Sequence, residues 1–97
     1  MLEADYQAYL IKKIKKQVLP GSIVLKNDTQ YLQGIPDLTV LYRERWGILE
    51  VKTSARARHR PNQDYYIDLL DGMSFAAFIF PENEEDVLYD LQQSLQS

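Results

Sequence analysis

Apolar residues near the N-terminus recur at intervals of four, as they do along one face of a helix. The repeat predicts a helix over residues 3–18, ended by Pro20-Gly21. Lysines occupy the other faces, so only one side of this helix is suited to burial. That side is formed by Tyr6, Leu10, Ile14 and Val18.

Three segments that follow have the apolar, β-branched and aromatic character of strands. Ser22–Lys26 is the first, and Leu38–Tyr42 and Trp46–Lys52 come after it. The last two are separated only by Arg43-Glu44-Arg45, which predicts an antiparallel hairpin. Between the first two strands, Gln30–Gln33 is interpreted as a further short extended piece.

The second half of the chain predicts a helix, a strand and a helix. The first of these helices is expected to start at Pro61 or Asn62 and run to about Asp71, with Gly72 as its C′ residue. The apolar run Ser74–Phe80 suits a buried strand. The predicted fold class is therefore α/β, a small mixed sheet flanked by helices on both faces. The last helix has an apolar stripe of Val87, Leu88, Leu91 and Leu95.

Composition narrows the possible chemistry. A chain of 97 residues predicts one domain over residues 1–97. With no cysteine and one histidine, disulfides, thiolate metal sites and a histidine-rich zinc site are excluded. A metal ion would need oxygen ligands, which favours Mg²⁺ or Mn²⁺. There is neither an apolar run of about 18 residues nor a basic N-terminal segment, so we expect no membrane span, no secretory signal and a cytoplasmic location.

Charge is distributed unevenly along the chain. The net charge of −3 argues mildly against nucleic-acid binding, but no Lys or Arg occurs from Asn62 onward. The basic residues therefore lie in the first two thirds, and a basic face can exist on an acidic protein. They form two clusters: Lys12, Lys13, Lys15 and Lys16 in the first helix, and Arg56, Arg58, His59 and Arg60 in a polar loop.

The residues with the clearest chemical meaning are Asp37, which follows Gly34-Ile35-Pro36, and the triplet Glu50-Val51-Lys52. The alternation of a strand places Glu50 and Lys52 on one face. If the hairpin pairs Leu38–Tyr42 with Trp46–Glu50, Asp37 lies near Val51 across the ladder. Two carboxylates can then hold one divalent ion beside an ammonium group, with the Val51 carbonyl as a third oxygen ligand. This set suits phosphodiester hydrolysis.

Pro36-Asp37 and Glu50-Val51-Lys52 resemble the motif of the PD-(D/E)xK nuclease superfamily. Within it, the chain is similar to the viral-type replication and repair nuclease (VRR-NUC) group, and the Holliday-junction resolvases share the same core. The resemblance implies a restriction-endonuclease-like fold in which Asp37 and Glu50 bind metal and Lys52 is catalytic. It further implies that Glu3 on the first helix contacts the metal, with Asp5 as a weaker substitute, and that Gln63 orients the site.

The same resemblance implies the substrate and the assembly. Stand-alone members resemble phage-encoded homodimers that cut branched DNA, such as Holliday junctions or flaps, which would place this chain in the host cytoplasm. For the loop cluster Arg56, Arg58, His59 and Arg60, contact with phosphate is favoured over a solvated loop. The lysine cluster is more typical of a solvated helix face. Minor candidates for substrate contact are Gln30, Tyr31 and Tyr66.

Two other functions remain open from the sequence. A non-catalytic nucleic-acid-binding or assembly module could retain the same fold, with the acidic C-terminal half as its partner surface. A metal-binding regulator is a weaker alternative. An enzyme requires Asp37, Glu50 and Lys52 together, and the chain has all three.

Overall fold

A computed structural model describes residues 1–97. Its elements follow the predicted order of helix, three strands, helix, strand and helix. The α-helices are α1 (Glu3–Lys13), α2 (Gln63–Met73) and α3 (Glu84–Gln96). The strands are β1 (Ile23–Lys26), β2 (Leu38–Tyr42), β3 (Arg45–Val51) and β4 (Phe75–Ile79).

The four strands form one mixed sheet in the order β1-β2-β3-β4. The first three strands pair antiparallel, β2 and β3 through a tight turn and β1 and β2 through the longer connection of residues 27–37, whereas β4 pairs parallel to β3. Helix α2 forms the crossover between β3 and β4, as a parallel connection requires. Because α1 and α3 pack on one face and α2 on the other, the predicted α/β class with helices on both faces is confirmed.

The register of the central hairpin differs by one residue from the predicted register. Leu38 pairs with Leu49 and Tyr42 with Arg45, so the turn is Arg43-Glu44 alone. Two-residue hairpin turns need left-handed backbone, and Arg43 provides it with a φ of 57°. Continuing this register places Asp37 opposite Glu50. The prediction that Asp37 lies across the ladder from Val51 is therefore wrong by one residue.

The N-terminal helical segment covers the predicted residues 3–18, but it changes from an α-helix to a π-helix. After α1, residues Ile14–Val18 form a π-helical segment. The carbonyl group of Val18, at the end of this segment, accepts a hydrogen bond from Gln92 Nε2 of α3 at 2.7 Å. Three residues of the predicted apolar face, Tyr6, Leu10 and Ile14, are buried.

Two local predictions are wrong. Gln30–Gln33 forms turns and not an extended piece, because the Asp28 carboxylate accepts hydrogen bonds from the backbone N–H groups of Gln30 and Tyr31. Gly72 lies inside α2 and not at its C′ position, since the helix continues to Met73. The start of α2 agrees with its prediction to within one or two residues.

Glu84 joins the first and last helices. Its carboxylate accepts hydrogen bonds from Tyr6, Tyr9 and Lys13, the last at 2.8 Å. Burial acts to raise the pKa of Glu84, but these three donors outweigh it and lower the pKa. The ionised carboxylate therefore fastens α1 to the start of α3, where the helix dipole also favours negative charge.

The sheet is covered unequally on its two faces. One face, under α1 and α3, holds a continuous cluster of 13 buried residues. On the opposite face, α2 contacts β4 and β3 and buries only Ile48, Ile67 and Ala76 as an apolar cluster. None of the helices has the length and apolar character that crossing a bilayer requires.

Candidate active site

The segment that precedes β2 is held by Asn27. Its side-chain amide donates to Pro36 O at 2.8 Å, and its backbone N–H donates to Asp37 O at 2.7 Å. Thr39 Oγ1 in turn donates to the Asn27 side-chain oxygen at 3.0 Å. The backbone around Asp37 is therefore fixed on both sides of the strand start, although Asn27 in the sequence signals only a turn.

Gly34 allows this segment to lie against the start of α2. It has a left-handed φ of 92°, and a Cβ at this position would lie 2.5 Å from Asn62 Cβ and 2.9 Å from Pro61 O. Real Cβ atoms do not approach other atoms that closely, so only glycine fits without displacing the backbone. The glycine before Ile35-Pro36-Asp37 thus has a packing role that brings two loops together.

Glu50, Lys52 and Gln63 form a buried polar network on the α2 side of the sheet. Lys52 Nζ donates to Gln63 Oε1 at 2.8 Å and lies 3.7 Å from Glu50 Oε2. Gln63 Nε2 donates to the same Glu50 oxygen at 3.0 Å. The amide of Gln63 therefore bridges the ammonium and the carboxylate, and it can do so because α2 begins directly above the end of β3.

The two ends of the network are tied to the loop between β3 and α2. Lys52 Nζ also donates to Arg58 O at 3.0 Å, and the Arg60 backbone N–H donates to Gln63 Oε1 at 2.8 Å. Asp37 and Val51 are nevertheless in contact, as predicted. The contact is made by the Asp37 side chain, whose Oδ2 accepts a hydrogen bond from the Val51 N–H at 2.9 Å.

Glu50 has an unusual electrostatic environment. Burial and the neighbouring charge of Asp37 raise its pKa to about 8, and Lys52 only partly opposes this shift. Its Oε1 atom is buried and accepts no hydrogen bond from a donor of the chain, and within the chain only a proton shared with the neighbouring Asp37 carboxylate, which also raises the pKa, would pair with it. A buried carboxylate oxygen without a partner is costly in a fold, and such groups concentrate at functional sites.

A cavity of about 360 Å³ opens over these groups. Its lining brings together four of the predicted site residues, Asp37, Glu50, Lys52 and Gln63, with Glu3 at the exposed end of α1. Glu3 does not complete a cluster of three or more potential metal ligands, because no such cluster is present. Asp5 is not among the lining residues. The remaining lining residues are Thr29, Gln30, Gln33, Gly34, Ile35, Arg60 and Pro61.

The loop arginines differ in their positions. Arg58 and Arg60 line a second cavity of about 480 Å³, which shares Glu3 and Lys52 with the first. Arg56 lines neither cavity. The basic loop thus provides two of its three guanidinium groups next to the buried network.

The structure turns His59 away from both cavities. Its Nδ1 lies 2.8 Å from Asp64 Oδ1, and its ring stacks on Phe78 with a centroid separation of 4.1 Å. These contacts fasten the loop to α2 and β4. Tyr66, half-buried on α2, likewise lines neither cavity.

Sequence reasoning missed some residues of the cavity wall. Thr29 and Gln33 belong to the connection between β1 and β2, for which an extended piece was predicted. In the sequence, these two residues are recognisable only as polar residues between two strands. Most loops contain such residues, so nothing in the sequence assigns them to a site.

A comparison of the chain with protein-family models, with curated proteins and with solved structures found no significant match. The site is therefore interpreted from its own geometry. That geometry combines two neighbouring carboxylates, an ammonium group held by the Gln63 amide and a loop carbonyl beside Glu50, and two arginines at the opening.

Proposed function

We propose that this chain is a metal-dependent nuclease that hydrolyses DNA phosphodiester bonds. The observation that carries the proposal is the partnerless, buried Glu50 Oε1 beside Asp37 and Lys52. A purely structural carboxylate would be expected to have its lone pairs satisfied at this depth. The proposed fold family is restriction-endonuclease-like, in the VRR-NUC group.

The donor set fits a divalent cation. Glu50 Oε1 accepts no hydrogen bond from the chain, and a cation held by Glu50 and Asp37 would offset the burial and the repulsion that raise the Glu50 pKa. Oxygen ligands of this kind suit Mg²⁺ or Mn²⁺, with the Val51 carbonyl and Glu3 as further proposed ligands. When bound, the ion supplies Lewis acidity toward phosphate and lowers the pKa of a coordinated water.

The chain's own residues have separable roles in this proposal. Lys52 Nζ is held by Gln63 Oε1 and Arg58 O, lies 3.7 Å from Glu50 Oε2, and belongs to a side chain that lines the cavity. There it would stabilise negative charge on the phosphate or orient the attacking water. Gln63 orients Lys52 and Glu50 and acts as a positioning residue.

Arg58 and Arg60 would bind the phosphates that flank the cut, and Arg56 and His59 belong to the same proposed surface at its margin. A structured or branched DNA, such as a Holliday junction or flap, is the proposed substrate class. Homodimerisation is part of the proposal, because one small protomer offers little contact area for DNA. The exposed Ile23 and Leu25 on edge strand β1 provide apolar surface for it.

Cleavage of end-labelled four-way junction, flap, linear duplex and single-stranded DNA tests the proposal, with Mg²⁺, Mn²⁺ or EDTA. We expect metal-dependent cutting that falls at least about 100-fold in Asp37→Asn and Glu50→Gln, as loss of a metal-binding carboxylate predicts. Lys52→Ala should lose activity while Mn²⁺ affinity changes little. Glu44→Gln, an exposed carboxylate on the hairpin turn, is the matched control and should cut normally.

Normal cutting by either carboxylate variant would show that the site is wrong. If no DNA is cut while wild type still binds DNA, the chain is a nucleic-acid-binding module that retains the fold.

A further inference from the structure

Tyr31 is the most exposed of the chain's large apolar side chains, at 88%. It has no aromatic partner, and its hydroxyl makes no hydrogen bond within the chain. Exposing an aromatic ring this fully forgoes burial that would stabilise the fold. The Tyr31 side chain therefore makes no packing or hydrogen-bond contribution to the stability of the fold, and a role in binding depends on what lies next to it.

The backbone that carries Tyr31 is ordered by local hydrogen bonds. The Asp28 carboxylate accepts the N–H groups of Gln30 at 2.9 Å and Tyr31 at 3.2 Å. Asp28 O accepts from Tyr31 and Leu32, and Leu32 O accepts from Ile35 at 3.2 Å. The ring is therefore presented on a defined turn, which limits the conformational entropy lost when a ligand binds it.

This turn forms one wall of the active-site cavity. Gln30 and Gln33, on either side of Tyr31, line the cavity together with Asp37 and Glu50. The other wall comes from the loop that contains Arg60 and Pro61. One wall thus offers the amides of Gln30 and Gln33, and the turn that forms it carries the Tyr31 ring outside the cavity lining, whereas the other wall offers positive charge.

Nucleic acids have two chemistries that match these walls. Guanidinium groups bind backbone phosphates, and aromatic rings stack on nucleobases. A base inside an intact duplex is covered on both faces by its neighbours, so a protein ring stacks on a base only where a neighbour is lost, as it is around an unpaired base. We infer that Tyr31 stacks on an unpaired nucleobase next to the scissile phosphate, and thereby selects DNA with a single-stranded segment at the site.

This inference rests on the proposed nuclease function but is tested by binding, without cleavage. Fluorescence anisotropy in EDTA would compare a flap DNA with a blunt duplex of the same length and label. Tyr31→Ala should weaken flap binding by about 5- to 150-fold, the effect of losing one stacked base. Tyr31→Phe should retain affinity within about twofold, and duplex binding should not change in either variant.

Tyr89→Ala is the matched control, because Tyr89 is 61% exposed on α3, which covers the other face of the sheet and contributes no residue to either cavity. It should leave both affinities unchanged. A 2-aminopurine at the unpaired position gives a second readout, since its fluorescence should be quenched by wild type and Tyr31→Phe but not by Tyr31→Ala.

Equal loss of duplex and flap binding in Tyr31→Ala, or equal loss in Tyr31→Phe, would overturn the inference, as would unchanged flap binding. A change in sedimentation of Tyr31→Ala without DNA would also overturn it, by identifying the ring as a subunit contact. Tyr31-dependent flap binding without cleavage under any metal would support this inference and sink the proposed nuclease function. Cleavage without any Tyr31 effect on binding would do the reverse.

Discussion

The face of the sheet under α1 and α3 buries 13 apolar residues in one cluster, whereas the face under α2 buries three. On that second face the other buried side chains include Glu50, Lys52 and Gln63, which satisfy one another except at Glu50 Oε1. The two faces share the same strands, since alternate residues of β3 point to opposite sides. The sheet therefore separates two layers. We call the cluster of 13 apolar residues the apolar layer, and the face with Glu50, Lys52 and Gln63 the chemical layer.

This separation has an energetic consequence. Apolar burial stabilises the fold by about 25 cal/mol for each Å² removed from water. A buried carboxylate acts in the opposite direction, because desolvation opposes its charge. Glu50 is such a group, and the raised pKa reports its cost. The larger apolar layer offsets the cost of burying the polar residues on the other face.

The largest expected effect on stability comes from the apolar layer. Leu10 on α1 is fully buried, and Leu10→Ala should lower the free energy of unfolding by about 2–5 kcal/mol. Ile67→Ala, in the small cluster under α2, should cost less because Ile67 is partly accessible and has fewer apolar neighbours. Urea denaturation of both variants measures the difference. Equal losses would contradict the division into two layers.

The next effect has the opposite sign and comes from the chemical layer. The Glu50 pKa is raised to about 8 from 4.5, so between these values the folded chain retains a proton that the unfolded chain releases. Unfolding therefore releases a proton, and metal-free wild type should lose stability as pH rises through this window, by up to about 1.4 kcal/mol per pH unit. Glu50→Gln cannot ionise and should be more stable than wild type at pH 8.

Thermal or urea unfolding between pH 4.5 and 8 in EDTA checks this expectation. The difference between wild type and Glu50→Gln should grow steadily with pH, whereas Glu44→Gln should show no such trend. A constant difference across the series would mean that Glu50 keeps its ordinary pKa in the fold.

The fold is largely predictable from the chain because hydrophobic periodicity determines which faces are buried. The hairpin strands were located to within one residue, but their predicted register was wrong by one residue. Register depends on the turn, and Arg43-Glu44 lacks the glycine or asparagine that signals a two-residue connection. Here Arg43 adopts the left-handed conformation without either residue, so sequence pattern alone favours a longer turn.

The site was predictable where it depends on local periodicity. Glu50 and Lys52 share a face because they are two residues apart on a strand. Asn27 indicated only a turn, because its hydrogen bonds to Pro36 and Asp37 form only when the chain folds back. His59 was grouped with the arginines by charge, but its ring is directed by contacts with Asp64 and Phe78 that no local pattern encodes.

The smallest expected effect is the loss of one phosphate contact in DNA binding, and it compares exposed positive charges on the two faces of the sheet. Arg58 lies at the cavities of the chemical layer, whereas Lys16 lies in the helical segment that covers the other face, and both are exposed. Each lost phosphate contact should reduce the slope of log affinity against log salt by about 0.9 on duplex DNA. Arg58→Ala should show this reduction, with its affinity loss greatest at low salt. Lys16→Ala should leave the slope unchanged. Salt titrations of DNA binding by wild type and the two variants distinguish the faces, and equal slopes for all three would remove Arg58 from the proposed DNA surface.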